Sequence, residues 1–309
     1  MRNFPTDVRF NPITNIANSL TTKQTYSTTL PPGYDFRDLF FQLLGGLTVA
    51  MIEELRLMAN GMIIQRLSAT DLNLINLFYN TPAYNTYTTP LLFLPQRRLG
   101  IRGGIQSFDK TALALTTGSS KDLAIESTLN AGSYDAQGRG IASVQVEFDI
   151  NNTPGAGSLQ IVPRAQVCDP YPGGPGLLKV IDKFTFNALV GVNTITKNTG
   201  LKHGDLLHSM CDALILIPPT ANLTDFVMRY NNNEIRRRSS DENLMVQRQD
   251  NLRSPQSGMW VIDFLEHGYG DEALLIGPSA TNMELDFTSD AAEGITVYQV
   301  SLGYMFAQA

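Results

Sequence analysis

The sequence predicts an all-β fold: two tandem eight-stranded jelly rolls, each carrying one short helix. Three observations lead there. The first is a passage written twice, LRLMANGMIIQRLSATDLNLI at 55–75 and VMRYNNNEIRRRSSDENLMVQ at 227–247. Slid by about 172 positions, Asn60 falls on Asn232, Ile63 on Ile235, Arg66 on Arg238, Ser68 on Ser240 and Leu72 on Leu244. A period of half the chain means two copies of one domain, because solenoid periods are shorter. The second is alternation of apolar and polar residues, the mark of strands with one buried face. The third is punctuation by Pro and Gly clusters without the strand–helix alternation of a doubly wound fold. A chain of 309 residues holds two sizeable cores. The count of eight strands follows from that length and the two-sheet habit of jelly rolls.

In chain order, residues 1–20 read as an unpatterned arm. FRDLFFQLL (36–44) opens the apolar run 39–52, which Gln42, Gly45, Gly46 and Thr48 interrupt and Glu53 and Glu54 end. It is too short for a membrane helix and reads as a buried strand pair. The first repeat follows, as strand, Asn turn, strand and helix. Ser68 with Asp71 three residues on makes a helix start. Leu74 and Phe78 share one helix face; Leu72, Ile75 and Tyr79 share another. A glycine-rich stretch, 97–121, is the surplus of the first copy. LAIESTLN (123–130) and SVQVEFDI (143–150) are strands, the latter alternating Val144, Val146, Phe148 and Ile150 with Gln145, Glu147 and Asp149. The domain boundary is placed at NNTPGAG (151–157), giving domains 1–152 and 153–309. SLQIVPRAQV (158–167) then opens the second domain, with DPYPGGPG (169–176) as a loop inside it. HGDLLHSMC (203–211) is set against 36–44, pairing Asp38 with Asp205. The second helix starts at Ser239 with Glu242, and is more polar. MWVIDFL (259–265) is set against PLLFLPQ (90–96), MELDFTSD (283–290) against 123–130, and TVYQVSLGY (296–304) against 143–150. In the last strand Tyr298, Val300, Leu302 and Tyr304 alternate with Gln299, Ser301 and Gly303.

Chemistry-bearing patterns are sparse. Charged residues are 17%, which suggests surface covered by neighbours, and a net charge of −6 argues against a nucleic-acid partner. Cys168 and Cys211 make no disulfide framework, though a single bridge between them stays open. His203 and His208 are five apart, missing the spacing of a helical metal pair; with His267 they read as surface or interface histidines. No metal site and no cofactor is expected; calcium between chains is left open, although no D-x-D-x-D-G loop marks it. GSS (118–120) and SAT (68–70) lack the setting of a catalytic serine. GIRGG (100–104) and GYGDEALLIG (268–277) miss the phosphate-loop patterns. Adjacent acids Glu53–Glu54 and Asp271–Glu272 point to opposite strand faces, so neither pair makes a glycosidase couple. No catalytic residue is assigned. Arg236, Arg237 and Arg238, with Arg229, Arg248 and Arg253 nearby, read as ion pairs with Asp241, Glu242 or a neighbouring subunit rather than a lipid or nucleic-acid patch.

The block 55–80 resembles a stretch of the major capsid proteins of tailless, membrane-containing icosahedral phages of the corticovirus type. That form runs apolar strand, A-N-G, strand, then a serine-capped helix ending L-N-x-F-Y-G. Here it is carried by Ala59, Asn60, Gly61, Ser68, Asp71, Leu72, Phe78 and Tyr79. Ile75–Asn76 replaces Leu–Asn, and Asn80 replaces the final glycine. A lipid-containing flavobacterial phage is a source that fits the chain's size. The resemblance implies a double jelly-roll coat protein in a virion assembled in the host cytoplasm. It implies a homotrimer acting as a pseudo-hexagonal tile, minor capsid and vertex proteins as partners, and an internal lipid membrane beneath. On that reading Arg2, Phe4, Arg9 and Phe10 form a basic, apolar arm near the membrane.

Two other classes compete. A carbohydrate-binding module would use Tyr84, Tyr87, Tyr134, Tyr171 and Tyr269 to stack on sugars, but only one tryptophan, Trp260, is present and it sits in a strand pattern. A two-domain glycan hydrolase would need a carboxylate pair at the seam, and none is identifiable.

Overall fold

The computed structural model describes residues 6–31, 33–80, 129–130, 138–168, 177–249, 253–266 and 273–305. The chain divides into two compact units, Met1–Lys179 and Val180–Ala309.

The first unit contains eight strands among its described residues. They are β1 (Thr6–Arg9), β2 (Gln24–Leu30), β3 (Asp35–Leu44), β4 (Ile52–Ala59), β5 (Met62–Leu67), β6 (Leu129–Asn130), β7 (Val144–Ile150) and β8 (Gln160–Cys168). Helix α1 (Ala69–Phe78) lies between β5 and β6. One sheet has the order β1-β8-β3-β6; the other runs β5-β4-β7-β2. The inward-facing residues are the apolar half of each alternation. Phe41 meets Phe148 edge-on at 4.8 Å, among buried Leu39, Leu43, Leu55, Leu57 and Val146. The apolar run 39–52 is the expected pair of strand segments. It turns at Gly45 (φ +74), where a Cβ would sit 2.3 Å from the Ser158 carbonyl oxygen, so only glycine fits.

The second unit repeats the wiring. Its strands are β9 (Leu177–Ala188), β10 (Gly191–Ile195), β11 (Met210–Ile217), β12 (Leu223–Tyr230), β13 (Asn233–Ser239), β14 (Trp260–Asp263), the two-residue β15 (Leu274–Leu275), β16 (Met283–Ser289) and β17 (Glu293–Tyr304). Helix α2 (Ser240–Gln249) lies between β13 and β14. The sheets run β14-β11-β17-β9, with β15 on β11, and β10-β16-β12-β13. Setting β15 aside, both units place strands 1, 8, 3 and 6 in one sheet and 2, 7, 4 and 5 in the other. That is the jelly-roll order, and the fold is two tandem jelly rolls. The second core gathers Leu214, Leu216, Phe226, Met228, Ile262, Leu285, Phe287 and Val297, with Phe226 edge-on to Trp260 at 5.3 Å.

Several expectations shift by one strand. SLQIVPRAQV does not open the second domain. β8 pairs with β1 on one side and β3 on the other, so it closes the first. The boundary at 151–157 therefore moves to the neighbourhood of 169–180, and DPYPGGPG lies outside the described residues. The counterpart of β3 is β11, so 203–209 is the approach to that strand and not a match for 36–44. Likewise β7 corresponds to β16, and β8 to β17. The stretch 90–96 lies outside the described residues. The surplus of the first copy does fall after its helix. Residues 79–128 separate α1 from β6, whereas only 250–259 separate α2 from β14. The stretch 97–121 itself is outside the described residues.

The arm is also corrected. From Thr6 it is β1, antiparallel to β8. The Phe10 amide donates to the Pro163 carbonyl at 3.0 Å, and Ile13 bridges Ile161. Ile16 and Leu20 are buried. The polar half of the last strand differs too. Gln299 and Ser301 are fully buried, because the Gln299 amide donates to the Lys202 carbonyl (2.6 Å) and accepts from the Lys202 amide (2.7 Å).

Candidate assembly surfaces

The twice-written passage builds one module in each unit: hairpin, then helix. The first hairpin turns on Asn60 (φ 50) and Gly61 (φ 77), the second on Asn231 (φ 48) and Asn232 (φ 65). Two consecutive positive φ values make the type I′ turn that matches strand twist, and Asn and Gly tolerate it best. The turns register the copies at 171, since 231 − 60 = 171, not 172. The β-bulges agree, at Leu57/Met58 and Met228/Arg229. The Asn side chains then do the same work. Asn60 Oδ1 accepts from the amides of Ala142 (2.7 Å) and Ser143 (3.2 Å), while its own amide donates to the Ser143 carbonyl. Asn231 Oδ1 accepts from the amides of Thr281 (2.8 Å) and Asn282 (3.3 Å), and its amide donates to the Asn282 carbonyl. Each Asn ties its turn to the two residues that lead into the seventh strand of its own barrel.

The helices cap as the serines predict. Ser68 Oγ accepts from the Asp71 amide at 3.0 Å. Ser239 and Glu242 are reciprocal, with Ser239 Oγ accepting from the Glu242 amide and a Glu242 carboxylate oxygen accepting from the Ser239 amide at 2.8 Å. Buried Leu72 and Asn76 of α1 correspond to buried Asn243 and Gln247 of α2. Asn243 and Gln247 both donate to the Val261 carbonyl, so α2 is fastened by hydrogen bonds where α1 uses apolar contact. Ala59, Leu72, Phe78 and Tyr79 are buried. Of the eight motif residues these four are buried, Ser68 and Asp71 start the helix, and Asn60 and Gly61 make an exposed turn.

The arginine run is spent on ion pairs inside the second unit, with acids other than those expected. Arg236 and Arg238 converge on Glu266, and Arg236 also donates to the Asp263 carbonyl at 2.7 Å. Arg237 pairs with Glu234, Arg229 with Asp286, and buried Arg253 with buried Asp263. In the first unit Arg56 is ringed by Glu54 (2.7 Å), Asp149 (2.8 Å) and Glu147 (3.0 Å). Burial would push the Asp149 carboxyl up; Thr25, Arg56 and Lys23 outweigh it and hold the group below its usual range. Glu54 faces Arg56 while Glu53 is exposed beside Asn151, so the adjacent pair is split between faces.

His203 and His208 are not surface residues; both are buried. Burial and the nearby Lys197 charge push the His203 pKa down. His208 is clamped between Asp205 on Nδ1 (2.7 Å) and Asp182 on Nε2 (2.5 Å). Burial alone would lower its pKa, but the two carboxylates, Asp182 foremost, raise it. Among the described residues no three His, Cys, Asp or Glu converge as metal ligands, and no helix is long and apolar enough to cross a membrane. Cys211 is a free, fully buried thiol. His267, Asp271, Glu272, the loops 100–104 and 118–120, and all five candidate tyrosines lie outside the described residues, as do Arg2 and Phe4.

Family models decide what such a molecule is. Residues 8–167 match the viral coat protein P2 N-terminal domain, and residues 178–304 match the viral coat protein P2 C-terminal domain. The chain belongs to the viral coat protein P2 family. The fold agrees. The structure is similar to the major capsid protein P2 from bacteriophage PM2, with TM-score 0.76 and 16% identity over 99% of this chain and 100% of that one. It is similar to a chain in the atomic structure of Sulfolobus turreted icosahedral virus, with TM-score 0.62 and 11% identity over 98% of this chain and 91% of that one. No curated protein sequence matches it. The two family spans flank 168–177 and so support the corrected boundary. This coat protein is a structural, non-enzymatic component of a virion, and the sugar-binding and hydrolase readings fall away.

Three features of the coat protein escaped sequence reading. Glu266 as the acid for two arginines is far from them in sequence. The His208 clamp draws Asp182 from 26 residues away. The turn Leu189–Val192 has the aliphatic composition of core, yet Leu189, Val190 and Val192 are exposed.

Proposed function

We propose that this coat protein forms a homotrimer that tiles an icosahedral shell over an internal membrane. The observation that carries the reading is the presence of two complete jelly rolls of identical wiring in one chain. Three chains then present six near-equivalent barrels, the number a hexagonal outline needs. Such a tile does not fit a fivefold vertex, so separate vertex and minor capsid proteins complete the shell. Assembly takes place in the host cytoplasm. Light scattering on the purified chain should give about 102 kDa, three chains of 34.0 kDa each. The same mass in a calcium chelator is expected, since assembly needs no cofactor on this reading. A species of one chain at micromolar concentration would overturn it.

The membrane side of the proposal rests on Arg2 and Phe4, which precede β1. Arg9 and Phe10 are already committed to the first sheet and its flank, so the test is deletion of residues 2–5 alone. One such arm binds an anionic bilayer weakly, and many act together. Intact trimers forming lipid-poor shells would support contact with lipid. Trimers that fail to join would instead make these residues a clamp between subunits, and lipid-filled shells of normal yield would reject both roles.

A further inference from the structure

The two units share their wiring but not the state of one edge. In each, the fifth strand stands last among strands 2, 7, 4 and 5. In the first unit that strand is β5, and it is covered. The opening residues of β9, up to Lys179, belong to the first unit and lie beside it. Gln65 Nε2 donates to the Lys179 carbonyl at 3.3 Å. Ile64 and Gln65 are each 1% exposed.

In the second unit the fifth strand is β13. It pairs with β12 on one side and ends the sheet β10-β16-β12-β13, so among the described residues no strand runs along its other side. Ile235 holds the place of Ile64, since 235 − 64 = 171, and it is 42% exposed. Each isoleucine is the residue that its β-bulge leaves out of the pairing register. The same residue in the same local structure is buried where a strand lies alongside and open where none does. Charge does not guard the open edge. Arg236 and Arg238 are drawn to Glu266, and Arg237 to Glu234. An unguarded edge is a template for another strand.

The chain also carries the strand that fits. β9 is the first strand of its barrel, so the chain already sets a first strand beside a fifth. The other first strand, β1, has an open side. It pairs with β8 and ends the sheet β1-β8-β3-β6. Within one chain β1 and β13 are not paired with each other. Between chains they join the second unit of one copy to the first unit of the next. That contact is heterologous, and three of them close a ring in which first and second units alternate. We infer that β1 of one chain adds to the open edge of β13 of the next, repeating between chains the pairing of first strand with fifth. Main-chain hydrogen bonds supply the affinity in such strand addition, and Val8 and Ile235 each bring an aliphatic side chain to it. The inference rests on the trimer reading and specifies one of its contacts.

Cross-linking of the full chain, in a Cys168→Ser background, tests it. The double variant Asp7→Cys, Ile235→Cys is treated with a flexible bismaleimide, so that the result does not hang on the strand register. Cys211 is fully buried and stays out of reach. The double variant should run as covalent trimers on a denaturing gel, and each single variant as monomers. Separately, Ile235→Asp, at an exposed position outside the β12 register, should keep the wild-type melting temperature of the dissociated chain. It should raise the trimer dissociation constant by about tenfold or more, as loss of an anchoring contact does. A wild-type trimer whose double variant gives no covalent trimers overturns the inference and leaves the trimer standing. Cross-linking between chains by Asp7→Cys alone, or by Ile235→Cys alone, means that like strands meet, and overturns it as well. A monomeric wild-type chain overturns the trimer reading and the contact together.

Discussion

His208 is the residue whose environment departs most from its sequence. Nothing in HGDLLHS announces that its imidazole is held between two carboxylates, one of them on β9. The ring touches Asp205 and Asp182 through both nitrogens, so the protonated form is the one that satisfies both. Its pKa in the folded chain is raised above the ordinary histidine value. A raised folded value stabilises the fold fully below the unfolded pKa, about 6.5, and that contribution is lost as pH rises through the folded value. Asp205 is half-exposed, so solvent screening discounts the pair. His208→Gln should therefore cost about 1–2 kcal/mol near pH 6, and the difference from wild type should shrink as pH rises above the folded pKa. Chemical denaturation at pH 6 and pH 9 measures both; an equal loss at the two values would show that the charge plays no part. His203 has the opposite sign. Its lowered pKa makes it a neutral buried ring whose contribution is lost as pH falls through the folded value.

At the scale of elements, the hairpin–helix module explains why the chain writes one passage twice. An Asn at the first turn position adopts positive φ at small cost, and its carboxamide accepts from two amides ahead of the seventh strand. Alanine can do neither. Asn60→Ala and Asn231→Ala should each cost about 2–3 kcal/mol, combining backbone strain with lost hydrogen bonds. Aspartate keeps the acceptor and tolerates the turn, so Asn231→Asp should recover most of the loss. Urea melts of the six proteins (wild type, four single variants counting Asn60→Asp, and the double alanine variant) test this; an aspartate as damaging as alanine would sink it. The module was legible because Asn-Gly turns and serine caps are local chemistry. Its register was not, because matching residue types favoured 172 where backbone geometry requires 171. The later strands were misassigned for a related reason. Period two says that Val144–Ile150 and Met283–Ser289 are strands, but not that both are seventh strands. Gln299 and Ser301 show the remaining limit: alternation reveals two faces, and only tertiary packing reveals that the polar one is also buried.

At the scale of the whole molecule, the jelly-roll order makes the domain boundary a matter of topology rather than composition. NNTPGAG has the composition of a linker, yet it is the turn between the seventh and eighth strands of one barrel. The eighth strand is what the first sheet is assembled on. β1 has β8 as its partner, and β3 pairs with β8 along nearly its full length. A chain ending at 152 loses that strand, exposing the edges of β1 and β3 and the apolar residues Phe36, Leu39, Phe41 and Leu43 on the inner face of β3. Unpaired edges of that kind drive aggregation. A chain ending at 176 keeps all eight strands and stops ahead of β9. Residues 1–152 should accumulate as insoluble protein, and residues 1–176 should be markedly more soluble and give the circular dichroism of a β-fold. Equal solubility of the two, or soluble folded protein from 1–152 alone, would mean that the first barrel closes without β8 and that the pairing of β8 with β1 and β3 is not what holds its first sheet.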